Sequence, residues 1–443
     1  MTKSTRRKFI QQSSLGVASA AALSLTTATR SAQAAAASSQ VNVGLIGCGG
    51  RGPAIAAEWN KQAGVKVIYA CDVHEGRLAK TAKELDIPSR HAITDMRRMM
   101  DDKNVDAVYI AAPDHWHAPA AIMACDAGKH VYVEKPCSHN VREGRMLIEA
   151  ARRNKRIVQH GTQVRSTPMF IEAIQKLREG IIGDVVMCRA LNVQKRDNIG
   201  HQEPTTPPAE LNYEDWVGPA EMDPYRENCH KGWHFRYNYG TGGIGNDGIH
   251  DVDYARWGLG VETHPSKISS GGGKFYFDDD QQFPDTQLVT FEYPGDGTPG
   301  TQKMLVYEQR LWSTNFPSVY NCDSGVEYYG KDGRMFLSRR GKIPVLDKRN
   351  KLQKTDIETM GQDTAAHIAD FLDAVRNDRA PRGDIENGHL TASLCHLGNL
   401  SSRLGRSIQF DPEAERVVGD AEANAMLARE YRDHWGTPKG TTA

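Results

Sequence analysis

Residues 41–52, VNVGLIGCGGRG, limit what this chain can fold into more than any other stretch. The apolar run from Val41 to Ile46 reads as a buried parallel strand. It halts at a turn carrying Gly47, Gly49, Gly50 and Gly52, and a helical pattern follows over 53–62. Strand, glycine turn and helix in that order match the spacing of a dinucleotide fingerprint. Gly47 permits the tight turn, Gly49 lets a pyrophosphate reach the backbone, and Gly52 lets the helix pack close to the strand. Gly50 and Arg51 share that loop, where a helix N-terminus offers free N–H groups to phosphate. A second apolar strand, 65–71, ends in Asp72, about twenty residues past Gly52, where a ribose-binding acid belongs. A carboxylate there bonds the ribose hydroxyls and repels a 2′-phosphate, so the expected cofactor is NAD, with NADP the second choice.

The rest of the first unit, 35–160, alternates. Helical patterns at 75–85 and 95–101 precede a strand over 105–112 that ends in Pro113, Asp114, His115, Trp116 and His117. A helix over 118–127 follows, then a strand over 130–133 ending in Glu134, Lys135 and Pro136, a helix over 142–154 and a short strand at 157–159. Such alternation predicts an α/β domain, a doubly wound parallel sheet with helices on both faces. Ligands on such sheets bind beyond the carboxyl ends of the strands, where all these motifs lie.

The texture changes beyond Gly161. Strand-like runs at 184–193, 286–293, 303–312, 325–329 and 334–338 come mostly without helices between them, and Lys331-Asp332-Gly333 reads as a hairpin turn. A second α/β domain, 161–443, is expected, built on an open and mainly antiparallel sheet. Its long loop over 196–224 is expected to shape a substrate mouth or an oligomer contact, and helices over 363–377 and 387–404 to close it.

Lysine plus arginine equals aspartate plus glutamate at 55 each, so no excess charge points to nucleic acid or an anionic membrane. The eight cysteines are scattered without a CxxC pair or metal-like spacing, which predicts free thiols and no zinc site; Cys137 reads as a small buried hydrophobe. At the N-terminus, Arg6-Arg7 precede Phe9-Ile10, an alanine-rich run spans 15–27, and Ala32-Gln33-Ala34 supplies a cleavage site. Residues 1–34 therefore resemble a twin-arginine export signal, too short to span a bilayer, and imply a periplasmic or exported protein handled by that export machinery.

Two stretches carry chemistry. A lysine at the crevice, Lys135, can bond a substrate hydroxyl and, when desolvated, move a proton. The run from Gly242 to Trp257, read as a helix entered through glycines, puts Asn246, His250 and Asp253 on one face, with Asp247 within reach of His250. A histidine there can take a hydroxyl proton while hydride leaves the same carbon.

Together with the glycine turn, Glu134-Lys135-Pro136 and the helix Gly248-Ile249-His250-Asp251-Val252-Asp253 resemble the glucose–fructose oxidoreductase, inositol dehydrogenase and rhizopine-catabolism family (Gfo/Idh/MocA). The resemblance implies a Rossmann domain followed by an open-sheet domain, and NAD(P)-linked chemistry on sugars or polyols, often in homo-oligomers. By position it assigns Lys135 and His250 to catalysis, Pro113, His117 and Glu134 to the cofactor, and Gln163 and Arg165 to the substrate side. Family members with the dehydrogenase triad usually carry aspartate where this chain has Asn246, which can orient a hydroxyl but holds no charge. Export favours a cofactor bound beforehand and restored in each cycle: by transfer between two sugars, by epimerisation, or by oxidation that enables glycosidic cleavage. A sugar-binding protein without turnover is the alternative from another class.

Overall fold

The computed structural model describes residues 40–313 and 321–438; the export signal proposed for 1–34 lies outside them. Six strands form one parallel sheet: β1 (Val41–Ile46), β2 (Val65–Cys71), β3 (Ala92–Ile93), β4 (Ala107–Ile110), β5 (His130–Val133) and β6 (Val158–His160). Their order is β3-β2-β1-β4-β5-β6, so the winding reverses between β1 and β4 and opens a crevice there. The central strand β4, Ala-Val-Tyr-Ile, is buried along its whole length because helices cover both faces.

A ten-stranded sheet follows: β7 (Val185–Asn192), β8 (Lys267–Gly273), β9 (Thr286–Tyr293), β10 (Lys303–Arg310), β11 (Ser324–Gly330), β12 (Gly333–Leu337), β13 (Val345–Asp347), β14 (Leu352–Gln353), β15 (Ile408–Asp411) and β16 (Arg416–Val417). Its order is β14-β13-β12-β11-β7-β10-β9-β8-β15-β16, antiparallel throughout except for the parallel pair β7–β10. The predicted hairpin joins β11 to β12, with Gly330 opposite Gly333. The elements that the sequence does not announce include the helix Pro168–Arg178, the glycine-rich β8 and the short strands β13 to β16.

Two sequence expectations change. The helix expected from residue 118 begins at Asp114, so Asp114 to His117 form its first turn instead of a strand-end loop. Pro119 sits inside the helix, and its missing N–H leaves the His115 carbonyl free for Arg429, which donates to it at 2.8 Å. The helix Thr364–Asn377 does not close the second domain. Its buried Ile368, Phe371 and Leu372 pack onto the first sheet with Trp59, Tyr109 and Tyr132, the Phe371 and Trp59 ring centres lying 5.4 Å apart. The chain thus returns to finish the first domain's core. The second helix, Ile385–Leu404, does line the second sheet, against β8. All eight cysteines are free and buried, and burial pushes the Cys137 thiol up to about 12. No described helix is long and apolar enough to cross a membrane.

Candidate active site

The crevice is built at the carboxyl ends of β1, β2 and β4, and Gly47, Gly49, Gly50, Arg51, Asp72 and Pro113 all line it. Gly47 has φ of +98°, and a Cβ there would lie 2.5 Å from the Ala111 carbonyl oxygen. A Cβ on Gly52 would lie 1.9 Å from the Gly47 oxygen, so this glycine is required by the helix's approach to the turn. Gly49 and Gly50 differ: a Cβ on either would meet no described atom within 4 Å. Packing does not demand glycine there, whereas a diphosphate drawn onto the backbone does. Asp72 accepts the Cys48 N–H at 2.6 Å and the His74 N–H at 2.8 Å, one on each carboxylate oxygen, and each oxygen keeps a lone pair for a ribose hydroxyl. The helix starts at Arg51, two residues earlier than expected, and Arg51 Nε donates to Glu134 Oε1 at 3.0 Å. Glu134 Oε2 is buried and has no partner among the described residues, as a group meant for a ligand hydroxyl would be. These residues fit NAD.

Next along the chain from Glu134, the Lys135 ammonium donates to the Asn246 carbonyl. Asn246 lies in a π-helical turn, Ile244–Gly248, that runs directly into the helix Ile249–Leu259 carrying His250. The expected single α-helix is therefore two kinds of helix in series. Gly248 is needed because a Cβ there would lie 2.2 Å from the Tyr307 hydroxyl oxygen, so the helix sits hard against the second sheet. Burial lowers the pKa of Lys135, although Asp114, Asp247 and Glu134 pull it back. Burial also drives His250 well below its ordinary value, reinforced by Arg339, Lys135 and Arg51. His250 is therefore a neutral imidazole at pH 7, and its Nδ1 is buried with no partner among the described residues. A neutral base beside a cation of lowered pKa can pass a proton at little cost.

Asp247 does not serve His250. Arg339 holds it at 2.8 Å, and Arg339, Lys135 and Arg196 together outweigh burial and keep its carboxyl below the usual range. Burial raises the neighbouring Asp251 to about 7, and Asn192 donates to both carboxylates. Asp253 is taken by Arg165 at 2.8 Å and by the Thr391 hydroxyl. The structure thus places Arg165 in a buried ion pair, while Gln163 bonds the Tyr132 hydroxyl and Gln362. Both ring nitrogens of His117 meet backbone carbonyls, of Pro136 and Ala112, so it braces the strand-end loops. Arg196, His234 and Arg339 carry no motif and were missed; Lys135 and Arg196 both act on His234, which burial takes to about 3.

Residues 41–162 match the NAD-binding Rossmann fold of the Gfo/Idh/MocA oxidoreductase family, and residues 196–437 match that family's C-terminal alpha/beta domain. This chain belongs to the Gfo/Idh/MocA family. Within it, the chain is 24% identical over 389 residues to a myo-inositol 2-dehydrogenase of Thermotoga maritima, covering 86% of this chain and all of that one. It is 24% identical to a scyllo-inositol 2-dehydrogenase (NAD(+)) of Bacillus subtilis, over 79% of this chain and 90% of that one. A levoglucosan dehydrogenase solved with NADH and levoglucosan superposes with a TM-score of 0.64 at 18% identity, over 84% of this chain and 99% of that one, and so shares the Gfo/Idh/MocA fold. The first domain is accordingly an NAD-binding Rossmann domain.

Proposed function

We propose that this protein oxidises a hydroxyl-bearing carbon of a sugar or polyol and that Lys135 and His250 share the proton work. The pairing of a desolvated Lys135 with a neutral His250 carries this reading. The names of the inositol and levoglucosan dehydrogenases supply the substrate class. When bound, the nicotinamide exchanges hydride with the substrate carbon. Lys135 Nζ donates to the substrate oxygen and steadies it as it becomes anionic, and His250 takes the hydroxyl proton. In reduction Lys135 Nζ still donates to the substrate oxygen, and protonated His250 returns the proton. The carboxylate of Asp72 favours NAD over NADP. The twin-arginine reading of residues 1–34 supports export as a holoprotein that keeps its cofactor.

The test takes protein purified without added cofactor, denatures a portion, and assays released NAD(H) and NADP(H). The remainder is incubated with a sugar and polyol panel while absorbance at the NADH band and product formation are followed. Net NADH marks an ordinary dehydrogenase, and product without net NADH a self-restoring cycle; both involve hydride transfer. Lys135→Met should bind NAD normally and lose about a hundredfold or more in turnover. Full turnover in that variant would remove the mechanism.

A further inference from the structure

The crevice does not end at Asp72. Beyond the ribose position its walls are Arg77 and Met96 of the Rossmann domain, and then Trp216, Trp233 and Trp435, which come from outside it. With the pyrophosphate at Gly49–Gly50 and the ribose at Asp72, the only part of a dinucleotide left for this end is the adenine ring. We infer that Trp216, Trp233 and Trp435 form an adenine clamp, with the chain over 429–437 as a strap that retains the cofactor. The inference rests on the NAD site proposed above and goes further, because it assigns the adenine subsite to segments that fold back from the second domain.

The strap is tied down at every turn. Arg429 donates to the His115 carbonyl that Pro119 leaves free and pairs with Glu143 at 2.7 Å. Tyr431 donates to the same Glu143 oxygen at 2.9 Å, and Arg432 pairs with Glu214 and donates to the Gly218 carbonyl, both at 2.8 Å. Trp435 Nε1 donates to Asp215 at 2.9 Å, which fixes the indole plane, and Arg97 lies 4.5 Å above its ring. Trp116 is enclosed between two glycines: a Cβ on Gly218 or Gly436 would come within 2.2 or 2.5 Å of its ring. Trp216 is held from the other side, its carbonyl accepting from Trp116 Nε1 at 2.9 Å and its ring stacked on Tyr213 at 5.5 Å. Trp233 and Trp435 are half-buried and Trp216 is buried beside them, and rigid indoles that line a crevice are what a purine needs for stacking. The dinucleotide can leave freely only if the strap lifts, which breaks several of these bonds together.

The test measures NAD dissociation from the full chain, with ADP and nicotinamide mononucleotide as separate affinity probes. Trp435→Ala should release NAD roughly ten- to a hundredfold faster and weaken ADP by a similar factor, leaving nicotinamide mononucleotide unchanged. Trp435→Phe, which keeps a ring but loses the bond to Asp215, should fall between the two, and Asp215→Asn should resemble it. Should the alanine variant fail to fold, the phenylalanine and asparagine variants carry the test. NAD release and ADP affinity at wild-type values in these variants would overturn the clamp. A wild-type chain that binds neither NAD nor ADP would instead overturn the cofactor reading beneath it.

Discussion

Replacing Arg165 by methionine separates two roles that one residue cannot easily hold together. The resemblance places Arg165 beside the substrate, while the structure shows it 6% exposed and paired at 2.8 Å with Asp253, which is 0% exposed. At an effective dielectric of about 20, such a pair attracts by about 4 kcal/mol. In Arg165→Met, Asp253 would keep the Thr391 hydroxyl and the nearby charge of Arg256, which puts the loss at the low end for a broken buried pair, about 3 kcal/mol. For a chain of this length that lowers the unfolding midpoint by about 3 to 4 °C. The pH dependence has a definite sign. Burial raises the Asp253 carboxyl, but in the wild type Arg165 and Arg256 together hold it low, so the stability they add is present above the unfolded carboxyl value and is lost as pH falls through the folded one. Without Arg165, burial dominates and the folded value rises above the unfolded one, so the variant's deficit is full near neutrality and shrinks toward acid. Differential scanning calorimetry from about pH 2 to pH 8 reads both effects. Arg165→Met with Asp253→Leu should recover more than half the loss, since no charge is then left stranded. A single variant that melts with the wild type but raises KM at constant kcat would refute the argument and return Arg165 to the substrate.

The glycines of the turn make a matched pair. Gly49→Ala should leave the unfolding midpoint within about 1 °C and weaken NAD at least about tenfold, whereas Gly52→Ala should lower the midpoint and NAD binding together; calorimetry and NAD titration distinguish them, and equal behaviour would contradict the assigned roles. Acid should destabilise the fold early. Burial takes His115 and His160 to about 3, so both are neutral when folded and take up a proton on unfolding below about pH 6.5. Each then removes about 1.4 kcal/mol per pH unit until the folded value is reached; a midpoint that stays flat from pH 7 to pH 5 would contradict this.

The Rossmann half was legible because each of its signals is local. A six-residue strand rich in Val, Leu and Ile, three spaced glycines and an acid at the next strand end are enough to point to a parallel sheet and a dinucleotide. Lys135 and His250 stood out for the same reason, each lying in a short motif, and their catalytic roles are the proposal made above. What could not be read is what depends on long-range packing. Asp247 is as near to His250 in sequence as the reading supposed, but Arg339, some ninety residues on, takes it instead. Strand β8, Lys-Ile-Ser-Ser-Gly-Gly-Gly, has almost no strand composition and exists because β9 offers it a full edge of backbone partners. The tryptophans at the adenine end share no spacing at all.

The helix Thr364–Asn377 bears on how the protein comes into being. Trp59 is 0% exposed, and the rings that enclose it are Tyr109 and Tyr132 from nearby chain and Phe371 from some three hundred residues later. A ribosome that has completed residues 35–160 has therefore made a sheet on which the helices Arg51–Asn60 and Glu75–Glu84 already pack, but the side of Trp59 that Phe371 covers waits until most of the second domain has been synthesised. The last step in finishing the first domain is thus set by the end of the chain and not by its beginning.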